Sequence, residues 1–130
     1  MRIKETAALC LLPLAALVAG TAAAATPLAL SKLYASYESA DYSALSMPEY
    51  DQAVRISAVV LEQNTSLADT ALTSATDAGS DVEYARLSSD DPEQSRKLSA
   101  LEPGTAFVAT CTVGFTSGSD YMSLTGCAVE

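Results

Sequence analysis

The 130-residue chain carries 7 Lys and Arg against 16 Asp and Glu, no histidine, and a formal net charge of −9. That balance argues against nucleic acid and anionic membrane as partners, because both need a basic surface. The absence of histidine removes the commonest general base and the commonest transition-metal ligand.

Residues 1–25 are a different kind of sequence from the rest. Arg2 and Lys4 open it, an apolar run extends from Ala7 to Val18, and Gly20-Thr21 leads into the small-residue tract Ala22 to Ala25. This is the three-part pattern of a secretory signal peptide, with Ala-x-Ala cleavage fitting after Ala24 or after Ala25. The apolar run falls short of the ~20 residues that span a bilayer, so no stable membrane insertion is expected after cleavage. Cys10 lies inside the run rather than after it, which does not suit a lipid anchor, and it leaves with the leader. The expected location is periplasmic or secreted, with residues 26–130 as a single domain. Without Arg2, Lys4 and Glu5, five Lys and Arg face fifteen Asp and Glu, a net charge near −10. Two cysteines remain, an even number for an oxidising compartment.

Pro27 opens the first element, a helix predicted over about 28–45, with Pro27 as its N1 residue. Leu30, Leu33, Tyr34, Tyr37, Ala40, Ala44 and Leu45 recur at intervals of three and four, and the Leu33, Tyr34 and Tyr37 stripe reads as core. A strand follows from Val54 to Glu62, with one buried face at its start and two near its end. Gln63 to Ser66 reads as a turn, and Asn64-Thr65-Ser66 within it fits the glycosylation sequon. A weaker strand of small residues runs from about Ser66 to Ser74, and Asp77 to Ser80 is the next turn. Val82 to Leu87 is a third short strand. Asp91 as N-cap, Pro92 at N1 and Glu93 in the first turn start a short helix that ends by Ala100 or Leu101. Pro103-Gly104 turns the chain into a hairpin, with Phe107 to Phe115 on one arm and Tyr121 to Val129 on the other. Symmetric pairing of Cys111 with Cys127 centres the turn on Ser119, inside the turn-forming run Ser117-Gly118-Ser119-Asp120. The spacing therefore predicts a cross-strand disulfide, Cys111–Cys127, of structural type. Redox pairs usually sit three positions apart, as Cys-x-x-Cys, not sixteen.

Helix, three strands, short helix and two strands is the layout of a mainly β fold. It fits a five-stranded OB-fold Greek-key barrel with an N-terminal α-helix and a short helix between strands 3 and 4. An open α+β meander is the alternative. Leu30-xx-Leu33-Tyr34-xx-Tyr37-Glu38, then Tyr50-Asp51-Gln52-x-Val54-Arg55-Ile56-Ser57, then Leu101-x-Pro103-Gly104-x-x-Phe107-Val108-x-x-Cys111 and Leu124-x-x-Cys127 resemble the bacterial tRNA_anti-like family of exported OB-fold proteins. The likeness spans Leu30 to Val129. The chain departs from that pattern at Ser39, where the family often has asparagine, and at Tyr50 to Ala53, where it has Tyr-Lys-Gly-Lys. Ala44 to Glu49 reads as an insertion. The resemblance implies an exported barrel, and the missing lysines count against binding of a polyanion.

No catalytic set stands out. Gly114-Phe115-Thr116-Ser117-Gly118 approaches a nucleophile elbow but centres on threonine with no histidine to serve it. No calcium loop appears, and neither cofactor nor metal is expected. Asp90, Asp91 and Glu93 read as helix capping. OB-folds commonly bind ligands on the face of the second and third strands, between the loops after strands one and four. That region is Gln63 to Ser66, Tyr84, Arg86 and Ser117 to Tyr121, with Tyr84, Arg86 and Tyr121 as the candidate binding residues for a sugar, peptide or small anion. The expected function is a non-enzymatic binding module of the cell envelope whose ligand is a protein, peptide or small molecule. The alternatives are a carboxylate-based glycan-active enzyme and an oligonucleotide-binding domain, the latter disfavoured by acidity and few aromatics.

Overall fold

The computed structural model describes residues 26–130; the predicted leader, its cleavage site and Cys10 lie outside the described residues. The elements are β1 (Leu28–Ala29), α1 (Leu30–Ser39), β2 (Ala53–Thr65), β3 (Ala71–Thr76), β4 (Ala85–Leu87), α2 (Pro92–Ser99), β5 (Ala106–Val113) and β6 (Met122–Val129). β2 is the longest strand and serves two neighbours. Ala53 to Val59 pair antiparallel with β5, and Val59 to Thr65 pair antiparallel with β3, with a register shift between Val60 and Glu62. Such a bulge bends a strand and raises its local twist. β3 pairs antiparallel with β4, β4 parallel with β6, and β6 antiparallel with β5, which returns to β2. The result is the predicted closed five-stranded barrel of OB type, with β1 added as a short parallel strand beside Ile56 and Ser57.

Period-two alternation sorts the side chains. Ile56, Ala58 and Val60 of β2, Phe107, Ala109, Cys111 and Val113 of β5, and Met122 and Leu124 of β6 are buried together in the interior. β3 is a run of small residues, and the sequence places it too early, over 66–74. Its strand starts at Ala71 because the hairpin turn is Ser66 to Thr70. There the Ser66 hydroxyl accepts the N–H groups of Ala68 and Thr70, and Asp69 adopts φ 66°. Gln63, Asn64 and Thr65, predicted as turn, therefore extend β2 instead. Gln63 ties this hairpin to α2. Its amide nitrogen donates to Leu98 O and Leu101 O at 2.7 Å each, and its amide oxygen accepts from the Thr73 hydroxyl at 2.9 Å. At the other end of α2 the Asp91 carboxylate caps the Glu93 N–H at 2.9 Å with Pro92 following, as predicted.

α1 is shorter than the predicted 28–45. Asp41 and Tyr42 take left-handed φ values of 58° and 60°, which end a right-handed helix. A separate 3₁₀ turn, Ala44–Ser46, then buries Ala44 and leaves Leu45 exposed. Pro27 precedes β1 rather than opening the helix. The residue at the N-cap is Ala29, which has no side-chain acceptor. Asp77 fills that role from the loop after β3, taking the N–H groups of Leu30 and Ser31 at 3.1 and 3.0 Å. Leu30, Leu33 and Tyr37 are fully buried, and the Tyr37 and Tyr34 hydroxyls donate to Ser119 O and Asp120 O at 2.8 and 2.7 Å. α1 thus sits at the barrel end formed by residues 77–84 and 114–121. α2 lies at the opposite end, against the β2–β3 hairpin and β6.

Cys111 and Cys127 form the disulfide, with Cα atoms 4.1 Å apart and both residues buried. Ala109↔Val129 and Thr110↔Ala128 keep the predicted symmetric register. Between Thr110 and Thr112 the register slips by one, where Gly126 adopts φ 59°. β5 ends at Val113, opposite Leu124, and β6 starts at Met122, so Phe115 and Tyr121 belong to the loop and not to the arms. Replacing both cysteines by serine is expected to lower stability by about 3 kcal/mol in urea titrations, with no such loss from reductant in the variant. Gln63→Ala is expected to cost about 1–3 kcal/mol, because it removes a donor from the Leu98 and Leu101 carbonyls and the acceptor of the Thr73 hydroxyl.

Candidate functional site

The outer face of the barrel carries one cross-strand row. Glu62 of β2 opposes Ser74 of β3, Ser74 opposes Arg86 of β4, and Arg86 opposes Ser123 of β6. Alternation turns these residues away from the core, into which their neighbours Ala75, Ala85, Leu87, Met122 and Leu124 point, although Ser74 is itself fully buried beneath the side chains bonded to it. Asn64 donates to Ser74 Oγ at 3.2 Å and to Glu62 Oε2 at 3.4 Å, and the Ser74 hydroxyl donates to Glu83.

Arg86 is the centre of this network. Its Nε and one terminal nitrogen fork onto the Glu83 carboxylate at 2.9 and 3.3 Å. Its other terminal nitrogen donates to the Tyr121 hydroxyl at 3.3 Å, and the guanidinium lies 3.9 Å from the Tyr121 ring centroid. A planar cation held on an aromatic face and forked by a carboxylate is a rigid arrangement. Arg86 and Tyr121, both singled out from sequence, are thus brought together. Tyr84 goes elsewhere. Its ring packs against Tyr34 of α1 at 4.9 Å, and Tyr34 in turn meets Tyr37 at 5.7 Å. Gln63, from the same predicted region, is the tie to α2 described above.

Glu83 was not anticipated. A strand over Val82 to Leu87 places Glu83 and Arg86 on opposite faces, because they differ in parity. Pairing starts only at Ala85, so Glu83 is released from alternation and turns back onto Arg86. The signal in the sequence was the bare three-residue spacing of opposite charges.

The charges of this cluster hold one another. Burial by itself raises the Glu83 carboxyl, but the hydrogen bonds from Arg86 and Ser74 and the Arg86 charge outweigh it, leaving a net downward shift. Arg86 is shifted upward, chiefly by its bond to Glu83. Three surface cavities stand out, one of them reaching Asn64 at the edge of the network. One of about 470 Å³ on the outer face of β2 and β5 includes Ser57, Val59 and Val108. One of about 520 Å³ lies between the β2–β3 hairpin and α2, and one of about 340 Å³ lies beside α1. None includes Arg86 or Tyr121, and none is lined by more than one carboxylate.

Among the described residues no helix is long and apolar enough to cross a membrane. No family model, curated protein or solved structure matches the chain.

A carboxyl whose folded value is depressed stabilises the fold above its ordinary value, here 4.5, and that contribution is lost as pH falls through the lower folded value. Melting temperature followed downward from pH 5 should therefore drop more steeply for the native chain than for Glu83→Gln.

Proposed function

We propose that this protein is an exported, non-enzymatic binding module of the cell envelope, with the outer face of β3 and β4 as its ligand surface. The observation that carries the reading is the ordered row around Arg86, where a cation, an aromatic ring and several hydrogen-bonding groups are fixed on the face that OB barrels use for ligands. A protein or peptide partner suits it better than a small anion. The fork of Arg86 is already filled by Glu83, so a free anion would have to displace an internal carboxylate. Small ligands favour concave sites, and none of the three cavities includes Arg86 or Tyr121.

Export rests on the leader pattern of residues 1–25, on the resemblance to the exported tRNA_anti-like proteins, and on a buried disulfide of the kind that persists in oxidising compartments. None of these three cavities is lined by more than one carboxylate, which weighs against a glycan-active carboxylate pair, since that needs two acids across one cleft. The acidic row, with Glu62 and Glu83 around one arginine, weighs against oligonucleotide binding.

The test is crosslinking in periplasmic extract with the native chain and with Arg86→Ala/Tyr121→Ala. The expected result is a partner captured by the native chain and lost from the variant. An identical set of crosslinks for both would refute the assignment of this face. Mass spectrometry of the exported protein is expected to give an N-terminus at Ala25 or Thr26 and the loss of two hydrogens.

A further inference from the structure

Six large apolar side chains are exposed among the described residues, and three of them, Tyr42, Leu45 and Phe115, are carried by two segments bonded to each other. Ser43 and Ser117 form an antiparallel bridge. Gly118 N–H donates to Tyr42 O at 2.8 Å, and Ala44 N–H donates to Thr116 O at 2.9 Å. Leu45 and Phe115 each lie one residue beyond that last bonded pair, and each is 59% exposed. A lone exposed leucine needs no explanation, but Leu45 and Phe115 stand at matching positions of two bonded segments, with Tyr42 beyond the Ser43–Ser117 bridge and its ring edge-on to Tyr37 at 5.6 Å. Leu45 lies in the stretch Ala44 to Glu49 that reads as an insertion, and Phe115 lies in the loop between β5 and β6.

The surroundings of the patch select its occupant. Glu38 accepts from the Tyr42 hydroxyl at 3.4 Å. The Tyr42 phenol is pushed above its ordinary value by the Glu38 charge first, then by burial and the Glu38 bond, then by Asp120 and Asp41. The rim is therefore negative. Three of the five cations in residues 26–130 are held in ion pairs, Arg55–Glu130, Arg86–Glu83 and Arg96–Glu93, and none of these pairs lies in the two segments. A second copy carries the same negative charge. Three side chains also fall far short of the roughly 800 Å² per partner of a stable dimer.

We propose that Tyr42, Leu45 and Phe115 form a docking surface for a basic protein segment. An apolar side chain of that segment packs on the patch while flanking Lys or Arg residues pair with Glu38, Asp41 and Asp120. This surface is separate from the Arg86 row and does not depend on it.

The probe is a short synthetic peptide in which Phe and Leu are flanked by lysines, titrated against the oxidised protein by fluorescence anisotropy. Two control peptides carry glutamate for lysine or serine for the apolar pair. Saturable binding is expected, weakened at least about tenfold in both controls and in Leu45→Ser/Phe115→Ser. Glu38→Gln/Asp120→Asn is expected to weaken binding and reduce its salt dependence, while Arg86→Ala leaves it unchanged. Both serine substitutions fall on exposed side chains, so an unchanged melting temperature verifies the fold. Absence of saturable binding by the native chain up to millimolar peptide would overturn the proposal. So would equal binding by the double serine variant. Dimerisation or vesicle binding that the serine variant abolishes would assign the patch to a second copy or to a lipid surface, and would equally overturn it. Loss of the peptide in Arg86→Ala alone would place it on the barrel face, refuting this site while supporting the other.

Discussion

One strand switching partners makes the barrel. β2 spends its first half bonded to β5 and its second half bonded to β3, and Val59 pairs with both Ala106 and Thr76. At the switch, the Val60 N–H donates to Thr105 O at 2.9 Å and its carbonyl accepts from Gly104 at 2.8 Å. No backbone group of Val60 is left for water, which a buried strand cannot tolerate. The register shift beside it bends the strand, so that one chain segment can serve both sides of a closed sheet. Closure in turn leaves the barrel strands without long free edges and lets the inward residues meet as one core.

That closure fixes where everything else goes. The loops 77–84 and 114–121 gather at one end, and α1 is held there by a carboxylate from the first and by two carbonyls of the second. The β2–β3 hairpin and the end of β6 gather at the other, where Gln63 and Gln94 bind α2 into place. The outward row from Glu62 to Ser123 is a by-product of the same register. Four strands must be in step for those four side chains to align.

Local chemistry was legible in the sequence and distant chemistry was not. The Asp91-Pro92 helix start and the Cys111–Cys127 pairing are each written within a few residues or within one turn, and both are found, though the hairpin's register slips by one beside the disulfide and its arms stop short of Phe115 and Tyr121. The double cover expected near the end of the first barrel strand is not found: Val59 and Leu61 stay half-buried, as Arg55 and Ser57 do, and only Ile56, Ala58 and Val60 are buried. The end of α1 was hidden, since apolar spacing continues through Ala44 and Leu45 while the backbone turns left-handed at Asp41 and Tyr42. The cap of α1 was hidden because Asp77 lies 47 residues from Leu30. In the candidate site, outward placement of Arg86 followed from alternation. Its carboxylate partner did not, because alternation held only where strand pairing held.

The disulfide has a consequence for the loop it encloses. Cys111 and Cys127 bracket the whole of residues 114–121, the segment that carries Phe115 and Tyr121 and receives the hydroxyls of α1. A peptide-bond cut anywhere inside that bracket leaves the two pieces covalently joined below the break, with β5 and β6 still tethered.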